Sequence, residues 1–209
     1  MIVIAVLNQK GGSGKTTIAT HLARALQLDG ASVVLIDSDP QGSARDWAAV
    51  REDQPLPVVG IDRPTIERDL KALGSKDFVV IDGAPQAADL AVSAIKSAHI
   101  VLIPVQPSPY DIWATADLVE LVKSRIEITD GKLQAAFVVS RAIKGTKIGG
   151  EIDEALNGYG LPVLETRITQ RVSYPSTAAA GTTVLDTEPD GDAARECRAL
   201  AAAVKAMIK

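Results

Sequence analysis

The sequence predicts a doubly wound α/β domain, in which helices cover both faces of a mostly parallel sheet. Short β-branched apolar runs alternate with alanine- and leucine-rich stretches of helical spacing from the first residues onward. Most of these apolar runs are hydrophobic at every position, as expected for strands that helices cover on both sides. We therefore expect one domain over residues 1–209, with ligands bound at the carboxyl ends of the strands.

The expected elements follow from these runs and from the helical periodicity between them. The predicted strands are Ile2–Leu7, Val33–Asp37, Phe78–Asp82, Ile100–Val105 and Gln134–Ser140, with a weaker one near Leu161–Leu164. Apolar residues at steps of three and four predict helices over about 15–29, 43–52, 64–73, 87–97, 111–127, 147–157 and 192–208.

Composition excludes several classes of protein. Of the 209 residues, 46% are hydrophobic and 23% are charged, which is typical of a globular domain rather than of a disordered chain or a coiled coil. The net charge of −4 argues against a globally basic nucleic-acid-binding protein, but it leaves room for a local basic patch. The single cysteine, Cys197, excludes a disulfide framework and a four-cysteine metal site within one chain. We find no signal peptide and no membrane-spanning run, and we expect a cytoplasmic protein.

A glycine-rich segment after the first predicted strand has the composition of a phosphate-binding loop. It reads Asn8-Gln-Lys-Gly-Gly-Ser-Gly-Lys-Thr-Thr17 and leads into the first predicted helix. Glycines let backbone N–H groups approach phosphate oxygens, and the helix N-terminus adds partial positive charge. Lys15 can reach the β- and γ-phosphates, and the Thr16 hydroxyl can bind Mg²⁺. The residues expected to bind the nucleotide here are Gly11, Gly12, Ser13, Gly14, Lys15, Thr16 and Thr17.

The loop departs from the plain P-loop pattern, which requires glycine five residues before Gly14. Gln9 occupies that place, and a second lysine, Lys10, opens the loop. This segment resembles the deviant Walker A loop of the ParA/MinD ATPases. In that family the extra lysine crosses to the ATP of the partner subunit in a face-to-face dimer. The resemblance therefore implies that Lys10 acts in catalysis beside Lys15, although a lysine here is also useful to a triphosphate within its own subunit.

The second predicted strand ends in a pair of aspartates. Asp37 and Asp39 are two residues apart, so their side chains share a face if the chain stays extended. One can hold a water bound to Mg²⁺, and the other can position the water that attacks the γ-phosphate. The segment Asp37–Gln41 resembles switch I of ParA proteins, which implies that Asp39 is the hydrolytic aspartate and that Asp37 supports the metal. The alternative is a pair of turn residues before Pro40.

The third predicted strand ends at Asp82 after four apolar residues, which is a Walker B pattern. Its carboxylate would meet Mg²⁺ directly or through water, so the expected metal site consists of Thr16, Asp37 and Asp82. The Gly83-Ala-Pro that follows resembles switch II of the same family, where the glycine can rearrange when the γ-phosphate is lost.

Two loops are candidates for the nucleoside end of the site. Ile103–Asp111 contains three prolines and is therefore stiff. The matching segment of ParA proteins lies beside the adenine and near the dimer interface, which makes Pro107 and Ser108 candidates. The alternatives are a rigid connection without a ligand, and a role for Asp111 as the cap of the next helix. Arg141 follows the fifth predicted strand and can pack on adenine. No guanine-binding Asn-Lys-x-Asp motif occurs, so ATP is favoured over GTP.

Basic residues in the C-terminal half are candidates for a DNA-binding surface. Arg141, Lys144 and Lys147 form one cluster, and Arg167 and Arg171 follow in a segment that resembles the Ile-x-x-Arg segment of ParA proteins. In that family basic residues of this region, from both subunits, contact the DNA backbone without sequence preference. We expect DNA contacts from Arg167 and Arg171 that weaken steeply with salt. The alternative is a set of ordinary solvated arginines.

The resemblance as a whole implies an ATPase that segregates plasmids or chromosomes, of the small subclass without an N-terminal helix-turn-helix domain. ATP and Mg²⁺ are its expected cofactors, and its basal hydrolysis is expected to be weak. Two subunits would close over ATP and bind nucleoid DNA, and a centromere-binding ParB-type partner would stimulate hydrolysis and release.

Other cargoes and activities remain as alternatives. A ParA-like ATPase could position a protein cluster, or a membrane-bound cargo as MinD does. The alanine-rich end, Leu200–Lys209, is only weakly amphipathic at its tip, which disfavours membrane binding. A metabolic ATP-dependent ligase is the remaining alternative, and Lys10 argues against it.

Overall fold

Six parallel strands form one sheet in the part of the chain that the structure describes. The structure is a computed structural model, and it describes residues 1–143 and 148–208, the side chains of residues 148–151 excepted. The strands are β1 (Ile2–Val6), β2 (Val33–Asp37), β3 (Val58–Gly60), β4 (Phe78–Asp82), β5 (Ile100–Val105) and β6 (Gln134–Val139). Across the sheet they lie in the order β3-β2-β4-β1-β5-β6, and every neighbouring pair is parallel. This confirms the predicted doubly wound α/β fold.

Helices cover both faces of this sheet. They are α1 (Lys15–Leu28), α2 (Ser43–Ala49), α3 (Ile66–Leu70), α4 (Ala88–Ser97), α5 (Pro109–Trp113), α6 (Ala116–Ile128), α7 (Ile148–Asn157), α8 (Ser173–Ala179), α9 (Val184–Thr187) and α10 (Asp192–Ala206). On β1, Ile4 and Val6 belong to the core shared with α1 and α10, whereas Val3 and Ala5 belong to the core shared with α4 and α6. This explains why the strands are apolar at successive positions, since both of their faces are buried.

Several elements differ from the sequence-based expectations. β3 was not predicted, because this edge strand has three residues and is too short to show a pattern. The weak strand expected near Leu161–Leu164 forms only an isolated bridge between Phe137 and Val163. The helix expected over 111–127 is divided into α5 and α6, and the short helices α8 and α9 had no clear periodicity. No helix of the described residues is long and apolar enough to span a membrane.

The topology brings five loops to one edge of the sheet. β1 lies between β4 and β5, so the strand order reverses there, and crevices at such a reversal are the usual ligand sites of this fold class. The register aligns Val6 and Asp37 with Asp82, and it aligns Val105 with Val139. The segments that follow these strand ends therefore face a common site, as the sequence predicts.

Candidate functional site

The glycine-rich loop between β1 and α1 takes a backbone conformation that glycine makes possible. Gly12 and Gly14 have φ values of +77° and +91°, and Gly14 is the N-cap of α1. A Cβ at Gly12 would meet nothing within 4 Å, so the backbone angle rather than space explains the glycine there. The Nζ of Lys15 donates to the carbonyl oxygen of Lys10 at 3.0 Å, which folds the lysine back over the loop. This arrangement places a cation above a helix N-terminus, where phosphates bind.

Polar residues at neighbouring strand ends hold the loop in place. The Ser140 hydroxyl donates to the carbonyl of Ser13 at 2.7 Å, and the Gln106 amide donates to the carbonyl of Gly12 at 2.7 Å. Asn8 donates from its amide to a backbone carbonyl of β5 at 2.6 Å. Asn8, Gln106 and Ser140 were not predicted as supports of the site. The sequence pattern that these residues share is a polar side chain directly after a buried strand, or, for Asn8, directly after the apolar residue that follows the strand.

Asp82 is a buried carboxylate without a hydrogen-bond partner among the described residues. Burial raises the pKa of Asp82 to about 7, an effect that the Thr16 hydroxyl and Lys15 oppose and the Asp37 carboxylate reinforces. Burial likewise lowers the pKa of Lys15, against the attraction of Asp82 and Asp39. Because an unpartnered carboxylate lies beside a hydroxyl, these residues fit Mg²⁺, which takes one or two protein oxygens, water and phosphates.

The Thr16 hydroxyl and the Asp82 carboxylate do not form a complete metal site by themselves. The described residues contain no group of three histidine, cysteine, aspartate or glutamate side chains that could hold a metal. Mg²⁺ would therefore be bound together with the phosphates, through Thr16 and Asp82. The site therefore fits Mg²⁺ and a nucleotide bound together.

Asp37 has protein partners for both of its carboxylate oxygens. Its Oδ1 accepts the backbone N–H of Asp39 at 3.0 Å, and its Oδ2 accepts the backbone N–H of Arg45 at 2.9 Å. The Nε of Arg45 lies 3.5 Å from the same Oδ2. Asp37 thus organises the loop after β2, whereas the sequence predicted a role for it in supporting the metal. Asp39 is partly exposed at the start of this loop, and its charge acts on Lys15.

Gly83 packs directly against the end of β1. A Cβ at this position would lie 2.4 Å from a methyl group of Leu7 and 2.8 Å from the carbonyl oxygen of Val6. The Gly83 N–H donates to that same carbonyl at 3.0 Å. The close approach of two backbones therefore explains the glycine at this position. The predicted rearrangement of Gly83 on loss of the γ-phosphate stays a prediction.

Lys10 forms an ion pair with Asp111 of its own subunit. The Lys10 Nζ lies 2.8 Å from the Asp111 Oδ2, and the lysine side chain remains 39% exposed. Asp111 is buried in the first turn of α5, and its Oδ1 has no hydrogen-bond partner in the described part of the chain. The expectation that Asp111 caps a helix is wrong, because Ser108 is the N-cap residue of α5 and no side-chain cap bond is present there.

A cavity of about 320 Å³ opens beside the phosphate loop, on the side of β6. Arg141, the residue predicted to pack on adenine, lines this cavity. Pro107 and Ser108 do not line it, because they lie before α5, on the side of Lys10 and Asp111. Lys144 and Lys147, grouped with Arg141 in the sequence, lie outside the described residues. The lining residues are Gly14, Thr17, Ile18, Ser140, Arg141, Ile168, Thr169, Gln170, Arg171, Tyr174, Pro175 and Ala178.

The two arginines predicted to contact DNA are both ion-paired. Arg167 pairs with Asp153. The Nη2 of Arg171 lies 2.8 Å from Glu196 and 3.4 Å from Asp192, and the Glu196 hydrogen bond raises the pKa of Arg171. Arg171 also lines the cavity beside the phosphate loop. Each arginine would have to leave a carboxylate before it could bind a DNA phosphate, which the sequence alone does not reveal.

Comparison with known proteins places these features in a family. The family profile described as "CobQ/CobB/MinD/ParA nucleotide binding domain" matches residues 4–184. The chain is 34% identical over 199 residues to "Maintenance of carboxysome distribution protein A" of Halothiobacillus neapolitanus, across 92% of this chain and 91% of that protein. It is 30% identical to "Protein ParA" of Rhizobium radiobacter, across 83% and 81% of the two chains.

A solved structure has the same fold. The septum site-determining protein MinD of Pyrococcus horikoshii, determined with Mg-ADP, superposes with a TM-score of 0.75. The match covers 97% of this chain and 95% of that one at 19% identity, so it supports the fold alone.

Proposed function

Since the chain belongs to the ParA/MinD family of nucleotide-binding domains, we propose that it hydrolyses ATP and that its ATP-bound dimer distributes a cargo in the cell. The observation that carries the proposal is that two features occur in one site. Lys15 is folded over the loop, and the carboxylate of Asp82, which has no hydrogen-bond partner among the described residues, lies beside Thr16. The site thus supplies a cation for phosphates and oxygens for Mg²⁺.

The phosphate loop binds and orients the triphosphate in this proposal. The N–H groups of Gly11–Thr17 and the ammonium of Lys15 contact the phosphate oxygens, while Thr16 and Asp82 hold Mg²⁺. Bound there, Mg²⁺ neutralises charge that develops on the transferred phosphoryl group. Arg141 and the cavity that it lines receive the adenine. Pro107 and Ser108 are proposed to lie near the second subunit instead.

Asp39 is proposed to position the attacking water. The loop that carries it is held by Asp37, whose carboxylate accepts the N–H groups of Asp39 and Arg45. Arg45 also donates to the carbonyl of Asp39 at 3.0 Å, so the backbone on both sides of the reactive carboxylate is fixed. A preorganised carboxylate of this kind lowers the entropy cost of placing water in line with the γ-phosphate. Asp37, whose oxygens both have protein donors, is proposed to act on the metal site only through its charge near Asp82.

A homodimer is proposed to form when ATP is bound. By the family resemblance, Lys10 exchanges Asp111 for the phosphates of the partner subunit. Both partners of Lys10 are anionic, so the exchange conserves a charge-assisted contact. The lysine side chain is already partly exposed, so a partner subunit could reach it.

For the cargo, we favour a protein assembly, because the relative at 34% identity is named for carboxysome distribution. The dimer would hold the cargo by binding non-specific DNA as a track, through Arg167 and Arg171 once they leave their carboxylates. DNA partition with a centromere-binding ParB-type protein is the second candidate, favoured by the match to "Protein ParA". No membrane partner is proposed.

Two assays test the proposal. Phosphate release from ATP and Mg²⁺ should be slow but measurable, and Lys15→Ala should abolish it. Binding to non-specific duplex DNA should require ATP and fall steeply across a salt series, since it rests on phosphate neutralisation. An absence of hydrolysis with and without DNA would reject the ATPase proposal. DNA binding that is absent in every nucleotide state would reject the track, and pelleting with liposomes and ATP would favour a membrane instead.

A further inference from the structure

A buried histidine that the proposed mechanism does not use lies next to the phosphate loop. His21 is in the second turn of α1, and only 4% of it is exposed. Its Nδ1 lies 2.7 Å from the carbonyl oxygen of Thr17, and its Nε2 accepts the backbone N–H of Val184 at 3.3 Å. The imidazole therefore joins the first turn of α1 to the first residue of α9.

These two contacts fix the protonation of the ring. A carbonyl oxygen only accepts hydrogen bonds, so Nδ1 carries the proton and Nε2 is the acceptor of a neutral imidazole. The Thr20 hydroxyl lies 3.3 Å from Nδ1, but it donates to the carbonyl of Thr16 at 2.8 Å. Burial lowers the pKa of His21 to about 4, so the ring is neutral at pH 7. Two hydrogen bonds of known direction thus hold the imidazole in one orientation.

The imidazole also packs against an aromatic residue of the cavity beside the phosphate loop. The rings of His21 and Tyr174 meet edge to face with 5.1 Å between centroids. The Tyr174 hydroxyl lies 3.8 Å from the Sγ of Cys197, so the tyrosine is held at both of its ends. Tyr174 and Thr17 line the cavity together with Arg141, whereas His21 does not. His21 therefore contacts two residues of the cavity wall from outside the cavity.

We propose that His21 is a positioning residue for the nucleoside end of the site. The proposal rests on the proposed function, which places adenine in this cavity. His21 holds Tyr174 and Thr17 so that the cavity keeps the shape that the base requires. The phosphates are bound instead by the loop N–H groups and by Lys15. Loss of His21 should therefore weaken binding of the base and leave binding of the phosphates nearly unchanged.

Inorganic tripolyphosphate separates the two ends of the site, because it offers phosphates without a nucleoside. In calorimetry with Mg²⁺, the original chain should bind ATP more tightly than tripolyphosphate. His21→Phe keeps a ring against Tyr174 but removes both hydrogen bonds. Its affinity for ATP should fall about tenfold, and its affinity for tripolyphosphate by less than about twofold. His21→Gln offers an acceptor to Val184 but no ring, and it should shift the ratio of the two affinities in the same direction.

A matched control tests whether the effect comes only from loosening two helices. Arg24 also joins α1 to α9, because its guanidinium lies 2.7 Å from the Asp186 carboxylate. It does not line the cavity. Arg24→Gln should lower the free energy of unfolding without changing the ratio of ATP affinity to tripolyphosphate affinity.

The histidine content allows a spectroscopic test on the original chain. The chain has two histidines, so comparison with His99→Gln assigns their ring signals. In ¹⁵N-labelled protein, the His21 ring should show the tautomer protonated at Nδ1. ATP with Mg²⁺ should shift the His21 signals, and tripolyphosphate with Mg²⁺ should leave them in place.

The outcomes separate this inference from the proposed function. If ATP and tripolyphosphate bind the original chain equally, the placement of adenine and this inference are both wrong. If the original chain prefers ATP and both His21 variants keep that preference, only this inference is overturned. An equal loss of the preference in Arg24→Gln, or His21 signals that ATP does not move, would also overturn it.

Discussion

The ammonium of Lys10 lies 2.8 Å from the carboxylate of Asp111, although 101 residues separate them in the chain. This contact holds the additional lysine of the phosphate loop within its own subunit. Asp111 is buried, and its Oδ1 has no partner among the described residues, so Lys10 compensates a charge that is costly to leave alone. In the proposed dimer, movement of Lys10 to the partner subunit would have to overcome this cost. The ion pair would therefore oppose dimer formation until ATP supplies a stronger anion.

Weakening this ion pair should favour the dimer. Asp111→Asn keeps the shape of the side chain but removes its charge, so Lys10 is released more easily. We expect ATP-dependent dimerisation to tighten by about three- to tenfold, as sedimentation velocity with a non-hydrolysable analogue would measure. Asp117→Asn removes an exposed charge from α6 and should change nothing. Weaker dimerisation of Asp111→Asn would mean that Asp111 orients Lys10 for the partner rather than restraining it.

Loss of Lys15 should prevent nucleotide binding. Lys15→Ala removes both the cation above the loop and its hydrogen bond to the Lys10 carbonyl. The dissociation constant for ATP should rise about 100-fold or more, measured with a fluorescent analogue. Lys123→Ala, at an exposed pair with Glu120, is the matched control and should bind normally. Tight ATP binding by Lys15→Ala would be incompatible with the assignment of the phosphate loop.

Removal of the Asp39 carboxylate should separate binding from turnover. Asp39→Ala keeps the phosphate loop, so ATP-dependent dimerisation should persist. Phosphate release should fall by about 100-fold or more, because the neighbouring carboxylate of Asp37 is held by protein donors and cannot replace it. Asp46→Ala, an exposed acid on α2, is the control and should hydrolyse ATP at the original rate. Persistent turnover in Asp39→Ala would assign the water to another residue.

The buried carboxylate of Asp82 should make the nucleotide-free protein sensitive to pH. Its pKa is raised from 3.8 to about 7, so the unfolded chain releases this proton first and stability falls as pH rises from about 4 to 7. Asp82→Asn removes the free-energy cost of ionising a buried carboxyl group. Its free energy of unfolding should exceed that of the original chain by on the order of 2–4 kcal/mol at pH 8, and by little at pH 4.

Urea unfolding at the two pH values, without Mg²⁺, measures this difference. A variant that is destabilised equally at both pH values would contradict the pKa of Asp82. With ATP and Mg²⁺ bound, the original chain should be more stable than Asp82→Asn, because the amide of the variant binds the cation weakly. Asp89→Asn, an exposed change in the first turn of α4, should show no pH-dependent difference.

The sequence predicted the parts of this molecule that depend on local pattern. The strand Ile2–Val6 is apolar throughout, and Phe78–Asp82 has four apolar residues before its final aspartate, so burial on two faces identifies both strands. The loop glycines mark a backbone that other residues adopt with strain. The edge strand Val58–Gly60 could not be predicted in this way. Its pairing with β2 comes from the sheet rather than from its three residues.

The remaining features depend on contacts between distant residues. The ion pair of Arg171 with Glu196 joins positions 25 apart, so an arginine that resembled a DNA contact faces a carboxylate beside the cavity next to the phosphate loop. Asp37 was expected to support the metal, but the turn of the chain back to Arg45 gives its oxygens protein donors. Residue types and spacing therefore predicted which segments meet at the carboxyl ends of the strands, whereas the ion-pair partners required the fold.

Whether ATP brings two chains together through Lys10 can be measured as the oligomeric mass of the protein without nucleotide, with ADP, and with a non-hydrolysable ATP analogue and Mg²⁺. We expect a monomer in the first two states and a dimer in the third, with the dimer lost in Lys10→Ala while ATP still binds. A monomer in all three states, or a dimer that forms equally in Lys10→Ala, would contradict the proposed dimer.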